Sequence, residues 1–195
     1  HDQVEAMTMG DRVAVIKDGV LQQVDTPQHL YDHPVNVFVA AFIGSPSMNL
    51  YEGTVALGDD GALVTLGSQS LHIPRDVLDG HPDLTDYDGR RIIVGIRPEN
   101  MEDASLLADH PADQTLEVTI ELVEALGADI LAHFDLDAPT VDSGDPDAED
   151  AATGEVRTSV ARFNPRSTAS LGDQLTVAVQ VERMKFFDYD SRLAL

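Results

Sequence analysis

Beyond Gly44, apolar residues fall on every second position in short runs, and turn residues break the runs apart. Leu116-Glu117-Val118-Thr119-Ile120-Glu121-Leu122 alternates without a fault, and Leu175-Thr176-Val177-Ala178-Val179-Gln180-Val181 repeats the pattern. A period of two puts one side of each strand in a core and the other in water. Many such runs in series predict a small barrel or sandwich. The expected strands are 49–56, 62–66, 69–73, 91–96, 114–126, 130–136, 155–161 and 174–182. Gly58-Asp59-Asp60-Gly61 and Leu126-Gly127-Ala128-Asp129 supply turns.

The first 44 residues have a different texture. Residues 2–9 read as a short helix, with Asp2 as N-cap, Glu5 three positions later and Gly10 as the stop. Residues 12–17 and 20–24 read as strands joined by Asp18-Gly19, a hairpin turn pair. Thr26-Pro27 opens a helix that Pro34 prevents from continuing, and a second helix covers 35–43. The boundary near residue 45 therefore divides a small α+β segment from a mainly β domain.

Charge narrows the function. With 12 Lys+Arg against 35 Asp+Glu, the net charge is −23, which repels phosphate backbones and anionic membrane surfaces. No nucleic-acid partner is expected. The longest apolar run, 35–43, contains Asn36 and ends at Gly44, well short of the roughly 20 residues that span a bilayer. The absence of cysteine excludes disulfides, thiolate metal sites and a cysteine nucleophile. Residues 135–155 carry eight carboxylates and no Lys or Arg, with Pro139, Gly144, Pro146 and Gly154 among them. That stretch is expected to form a flexible acidic loop between two strands.

No phosphate-binding Gly-x-x-x-x-Gly-Lys, His-Glu-x-x-His or Gly-x-Ser-x-Gly motif occurs. His29 and His33 are four apart on a predicted helix with Asp32 beside them, a spacing that suits a metal. The plainer reading leaves Leu30 and Tyr31 as the core contact and the histidines at its margin. Asp145 opens a calcium-loop pattern that fails where Gly and the final Glu are needed. No resident metal is expected.

Residues 1–15, from His1-Asp2-Gln3-Val4-Glu5-Ala6-Met7 to Val13-Ala14-Val15, resemble the histidine switch segment of the ATP-binding subunit of ABC transporters, in the maltose-type sugar-importer branch. Lys17-Asp18-Gly19, Gln22-Gln23-Val24-Asp25-Thr26-Pro27 and Leu30-Tyr31-Asp32-His33-Pro34 continue the resemblance to the end of that ATPase domain. Phe38-Val39-Ala40-Ala41-Phe42-Ile43-Gly44-Ser45-Pro46 is similar to its exit into the regulatory domain. Val94-Gly95-Ile96-Arg97-Pro98-Glu99, Leu122-Val123-Glu124-Ala125-Leu126-Gly127 and Phe186-Phe187-Asp188 resemble motifs of that domain.

The resemblance implies an OB-like (TOBE/MOP-like) barrel over 45–195 and a remnant of the nucleotide-binding domain over 1–44. It implies a homodimer that couples ATP hydrolysis to carbohydrate uptake through transmembrane permease subunits, at the cytoplasmic face of the membrane. His1 would face the γ-phosphate of ATP, with ATP and Mg²⁺ as cofactors of the longer parent. The fragment itself, without phosphate loop, magnesium site or signature motif, is expected neither to bind a cofactor nor to hydrolyse ATP. Arg97, Glu99, Phe38 and Phe42 are the interface candidates. Val13, Val15, Ile16, Leu30, Phe38 and Phe42 are expected to need a substitute partner, such as a second copy. The alternative is an oxyanion-sensing module of a related importer, built on Arg157, Arg162, Arg166 and Thr158-Ser159. Trehalose, maltose-type glucans and glycerol phosphate all remain open as cargo.

Overall fold

A computed structural model describes residues 3–144 and 158–195. The amino-terminal segment contains α1 (Gln3–Met9), the hairpin of β1 (Val13–Lys17) and β2 (Val20–Asp25), α2 (Pro27–Asp32) and α3 (Val37–Phe42). Both later helices start as their sequences require. The Thr26 hydroxyl accepts from the His29 amide at 3.3 Å ahead of Pro27, and the Asn36 side chain accepts from the Val39 amide at 2.9 Å.

Most of the residues expected to need a substitute partner are covered within the chain. Val15, Leu30, Phe38, Val39 and Ile43 are buried in a small core of their own, flanked by Met7, Val13, Tyr31 and Phe42. The opposite side of α3 joins a second cluster, where Val37, Ala40 and Ala41 meet Met48, Leu50, Ile93, Val141 and Phe187 of the β domain. Only Ile16, of the residues expected to need a partner, is open, at 59% exposure.

The β domain carries two antiparallel five-stranded sheets. One is ordered β12 (Lys185–Asp188), β6 (Arg91–Ile96), β3 (Asn49–Gly58), β4 (Gly61–Leu66), β5 (Gln69–Pro74). The other is ordered β10 (Ser159–Phe163), β9 (Ile130–Asp135), β8 (Thr115–Ala125), β11 (Gln174–Val179), β7 (Met101–Asp103). Their inner faces share one core, in which Tyr51, Val64, Leu71 and Val94 meet Leu116, Phe134, Phe163 and Val177. The alternation of Leu116, Val118 and Ile120 is buried as expected. At Glu121 the pairing of β8 with β9 slips, and Leu122 turns outward at 51% exposure. The slip is a β-bulge, which moves the rest of the strand to the opposite face.

Side-chain amides continue the pairing where strands of the two sheets meet. Asn49 donates to the Val160 carbonyl and accepts from the Val160 amide, both at 2.8 Å, and so behaves as a strand residue toward β10. Gln69 does the same for Glu117 on β8, at 2.8 and 2.7 Å. These bridges bring the sheets to a nearly closed barrel.

The first part of the stretch expected as an acidic loop is docked on the barrel. Leu136, Val141 and Ser143 are buried. The Glu52 amide donates to Pro139 and the Val141 amide to Leu50, so residues 139–141 run along β3 as an added edge. A few apolar residues and backbone pairing outweigh the local charge. The remainder of that stretch, and the expected start of a strand at 155, lie outside the described residues. Strands β7 and β12 and the short helix α4 (Arg75–Leu78) were not expected; each is four residues or fewer. Among the described residues no helix is long and apolar enough to cross a membrane.

Candidate functional site

The amino-terminal segment meets the barrel at a groove of about 1130 Å³. Its walls are α2 and the turn after it on one side, and α4, the end of β6 and the start of β12 on the other. Arg97 holds the junction. It follows β6, is 3% exposed, and pairs with no carboxylate within salt-bridge distance among the described residues. Its guanidinium donates through Nη1 to the Ile43 carbonyl at 2.7 Å and through Nη2 to the Tyr31 carbonyl at 2.8 Å. It also stacks 3.6 Å from the Tyr31 ring centre.

Tyr31 lies in the last turn of α2, and Ile43 is the C-cap of α3. One cation therefore caps the carboxyl ends of two helices, where carbonyls lack partners and the peptide dipoles favour positive charge. Burial pushes the Arg97 pKa down to about 10, with Asp32 acting in the opposite sense. The group remains charged at neutral pH.

The other expected site residues separate. Glu99 is half-buried in the groove wall, and its Oε1 has no hydrogen-bond partner among the described residues. Phe38 is 8% exposed, stacks on Phe42 with ring centres 5.5 Å apart, and has the Lys17 ammonium 4.8 Å from its ring centre. Neither Arg97 nor Phe38 presents itself at an open surface. Each is committed to contacts within the chain. His1 lies outside the described residues.

Two residues that sequence reading missed also line the groove. Lys185 is half-buried; desolvation lowers its pKa, Asp32 raises it, and Arg97 and Arg183 lower it further. Burial, and next the charge of Lys185, lower the pKa of His81, which packs edge-on against Phe186 at 5.1 Å. No local pattern in the sequence marks either one. His29 and His33 stand with ring centres 4.7 Å apart, and His29 Nε2 is 3.7 Å from Asp25. Among the described residues no group of three or more His, Asp or Glu is placed to hold a metal ion.

The residues of the oxyanion alternative do not converge. The Ser159 hydroxyl is buried and accepts from Tyr51 at 2.6 Å. Arg162 points away from Ser159 by the alternation of β10, Arg166 is held by Asn164, and Arg157 lies outside the described residues.

Residues 44–101 match the MalK OB fold domain. The trehalose import ATP-binding protein SugC of Mycobacterium tuberculosis is 37% identical over 98% of this chain and 49% of its own length. The trehalose/maltose import ATP-binding protein MalK of Thermococcus litoralis is 36% identical over 96% of this chain and 45% of its own. The chain belongs to the MalK-like family of importer ATP-binding subunits. The diacetylchitobiose uptake ATP-binding protein MsiK of Streptomyces coelicolor, at 49% identity over 66% of this chain and 35% of its own, is a further relative of the MalK-like chain. The chain spans about half the length of the curated relatives it matches. The molybdate-binding protein ModG aligns at 12% identity and a TM-score of 0.46 over 71% of this chain, a likeness that assigns it neither ligand nor role. The oxyanion alternative is not favoured.

Proposed function

We propose that this chain is the regulatory and dimerisation part of a carbohydrate importer's ATP-binding subunit, and that it belongs to a longer polypeptide. The observation that carries this reading is the join at residue 44. The OB fold match begins there, and the segment ahead of it aligns with relatives named as import ATP-binding proteins. In this reading two barrels hold a homodimer together while the ATP-binding ends open and close. The movement passes to transmembrane permease subunits at the cytoplasmic face of the membrane. ATP and Mg²⁺ are cofactors of the longer subunit, which is the ATPase, and His1 is the residue of this chain that faces the γ-phosphate.

Phe38 does not serve as the dimer contact in this reading, because its ring is already covered. Exposed apolar side chains of the barrel, Leu122, Leu126 and Leu171 among them, are free to meet a second copy. Each copy carries a formal charge of −23, so added salt strengthens the dimer by screening. Sedimentation equilibrium at tens of micromolar tests the assembly. The expected result is a dimer that tightens between low and moderate salt, and a clean monomer at both contradicts it. Co-purification of the longer subunit with its permease subunits tests the transport assignment separately.

A further inference from the structure

We propose that Arg97 is the positioning residue through which the barrel sets the stance of residues 27–43, and so couples regulation to the ATP-binding half. This rests on the regulatory reading above. Arg97 leaves the end of β6, a strand held on both sides by β12 and β3, so the barrel fixes its backbone. Its side chain then crosses to the other segment and ends on two carbonyls from two different helices.

A guanidinium is a planar fork whose donors keep a set spacing and direction. Both carbonyls are met only while α2 and α3 hold one arrangement relative to the barrel. A shift of either helix leaves a buried cation short of an acceptor, a costly state for a group that is 3% exposed. An ordinary surface ion pair yields to such a shift, whereas this contact is made or broken as a unit. Gly44 fits the same design. Its φ is +125°, and a Cβ there would sit 2.8 Å from Arg97 Nη1, so the chain between the two halves passes directly against the guanidinium. The groove supplies access, since Asp32, Glu99 and Lys185 line it together with Arg97.

Amide hydrogen exchange on this chain tests the placement. Arg97→Met keeps the stem and removes the fork. The expected result is exchange about tenfold to a hundredfold faster at residues 37–43, the scale of the one hydrogen bond from a charged donor that this segment receives. Strands β3, β6 and β8 should stay within about twofold of wild type on the same scale. Arg97→Lys should fall between, because an ammonium keeps the charge without the fork. Gly44→Ala should mimic Arg97→Met, and the two changes together should be less than additive. Unchanged exchange at 37–43, or an equal rise throughout the barrel, overturns the proposal. ATP turnover of the longer subunit tests the coupling. Arg97→Met should change kcat at least about threefold and leave KM for ATP unaltered, since an effect on the chemical step need not alter binding. An unchanged kcat overturns the coupling. No turnover in either protein sinks the regulatory reading instead and leaves the exchange result to decide the role of Arg97.

Discussion

The Arg97 guanidinium both stacks on the Tyr31 ring, 3.6 Å from its centre, and donates to the Tyr31 carbonyl at 2.8 Å. The ring and the carbonyl belong to one residue, so side chain and backbone of α2 are gripped by the same cation. Tyr31→Leu removes the ring and keeps the carbonyl. It should cost about 1 kcal/mol, the usual size of a partly desolvated cation–ring contact. Urea denaturation of the single variant and of the Tyr31→Leu, Arg97→Met pair checks this. The pair should be less destabilised than the sum of its members.

The amide bridges between the sheets give a second expectation. Asn49 is 9% exposed and, besides its two bonds to Val160, donates to the Ile96 carbonyl at 3.1 Å. Asn49→Ala leaves buried backbone groups without partners and should cost about 2–4 kcal/mol. Asn49→Asp should be worse, because an acceptor would then face the Val160 and Ile96 carbonyls. Gln69→Ala, at a more exposed bridge, should cost about 1 kcal/mol. Chemical denaturation of the three variants gives the order.

Gly67 tests the docking of the acidic stretch against the barrel. It turns β4 into β5 at φ +56°, and a Cβ there would overlap the Asp137 carbonyl oxygen. Gly67→Ala should cost more than the roughly 1–2 kcal/mol of left-handed backbone strain alone. Gly89→Ala, at φ +69° with nothing within 4 Å, is the control that isolates the strain. Equal costs at the two positions would mean that residues 136–138 do not press on this turn.

Acid stability should depend on Asp188. Hydrogen bonds from Ser191, and then from Tyr87, hold its carboxylate at about 2, well below the usual value. A depressed carboxylate stabilises fully above its unfolded value of about 3.9, and the contribution disappears as pH falls toward the folded value. The loss therefore lies between about pH 4 and pH 2. Asp188→Asn should flatten the fall in urea midpoint across that window and leave the slope above pH 5 unchanged. Asp103 contributes in the same sense: burial works to raise its pKa, but hydrogen bonds from Ser167 and Ser105 overcome it. The variant should therefore reduce the acid dependence without abolishing it.

Period-two alternation made most strands legible because it reports burial directly, as at Leu116, Val118 and Ile120. The change from helices to strands after Gly44 was legible because helix caps and alternating runs are local signals. Strands β7 and β12 are too short to carry a period, and their partners across the sheet define them. The burial of Leu136 and Val141 was hidden by the carboxylates around them, since local charge says nothing of backbone pairing with Leu50 and Glu52. Arg97 stood out as part of a motif, yet its role did not, because its acceptors lie 54 and 66 residues away in sequence. Lys185 and His81 entered the groove by topology alone.

The proposed role of this chain is that of the regulatory part of a carbohydrate importer's ATP-binding subunit. ATP hydrolysis measured side by side, on this chain and on the longer subunit with its permease in vesicles, tests it most directly. The account predicts turnover coupled to carbohydrate entry for the longer subunit and none for the chain beginning at His1. Hydrolysis by this chain alone, or none by the assembled transporter, would contradict it.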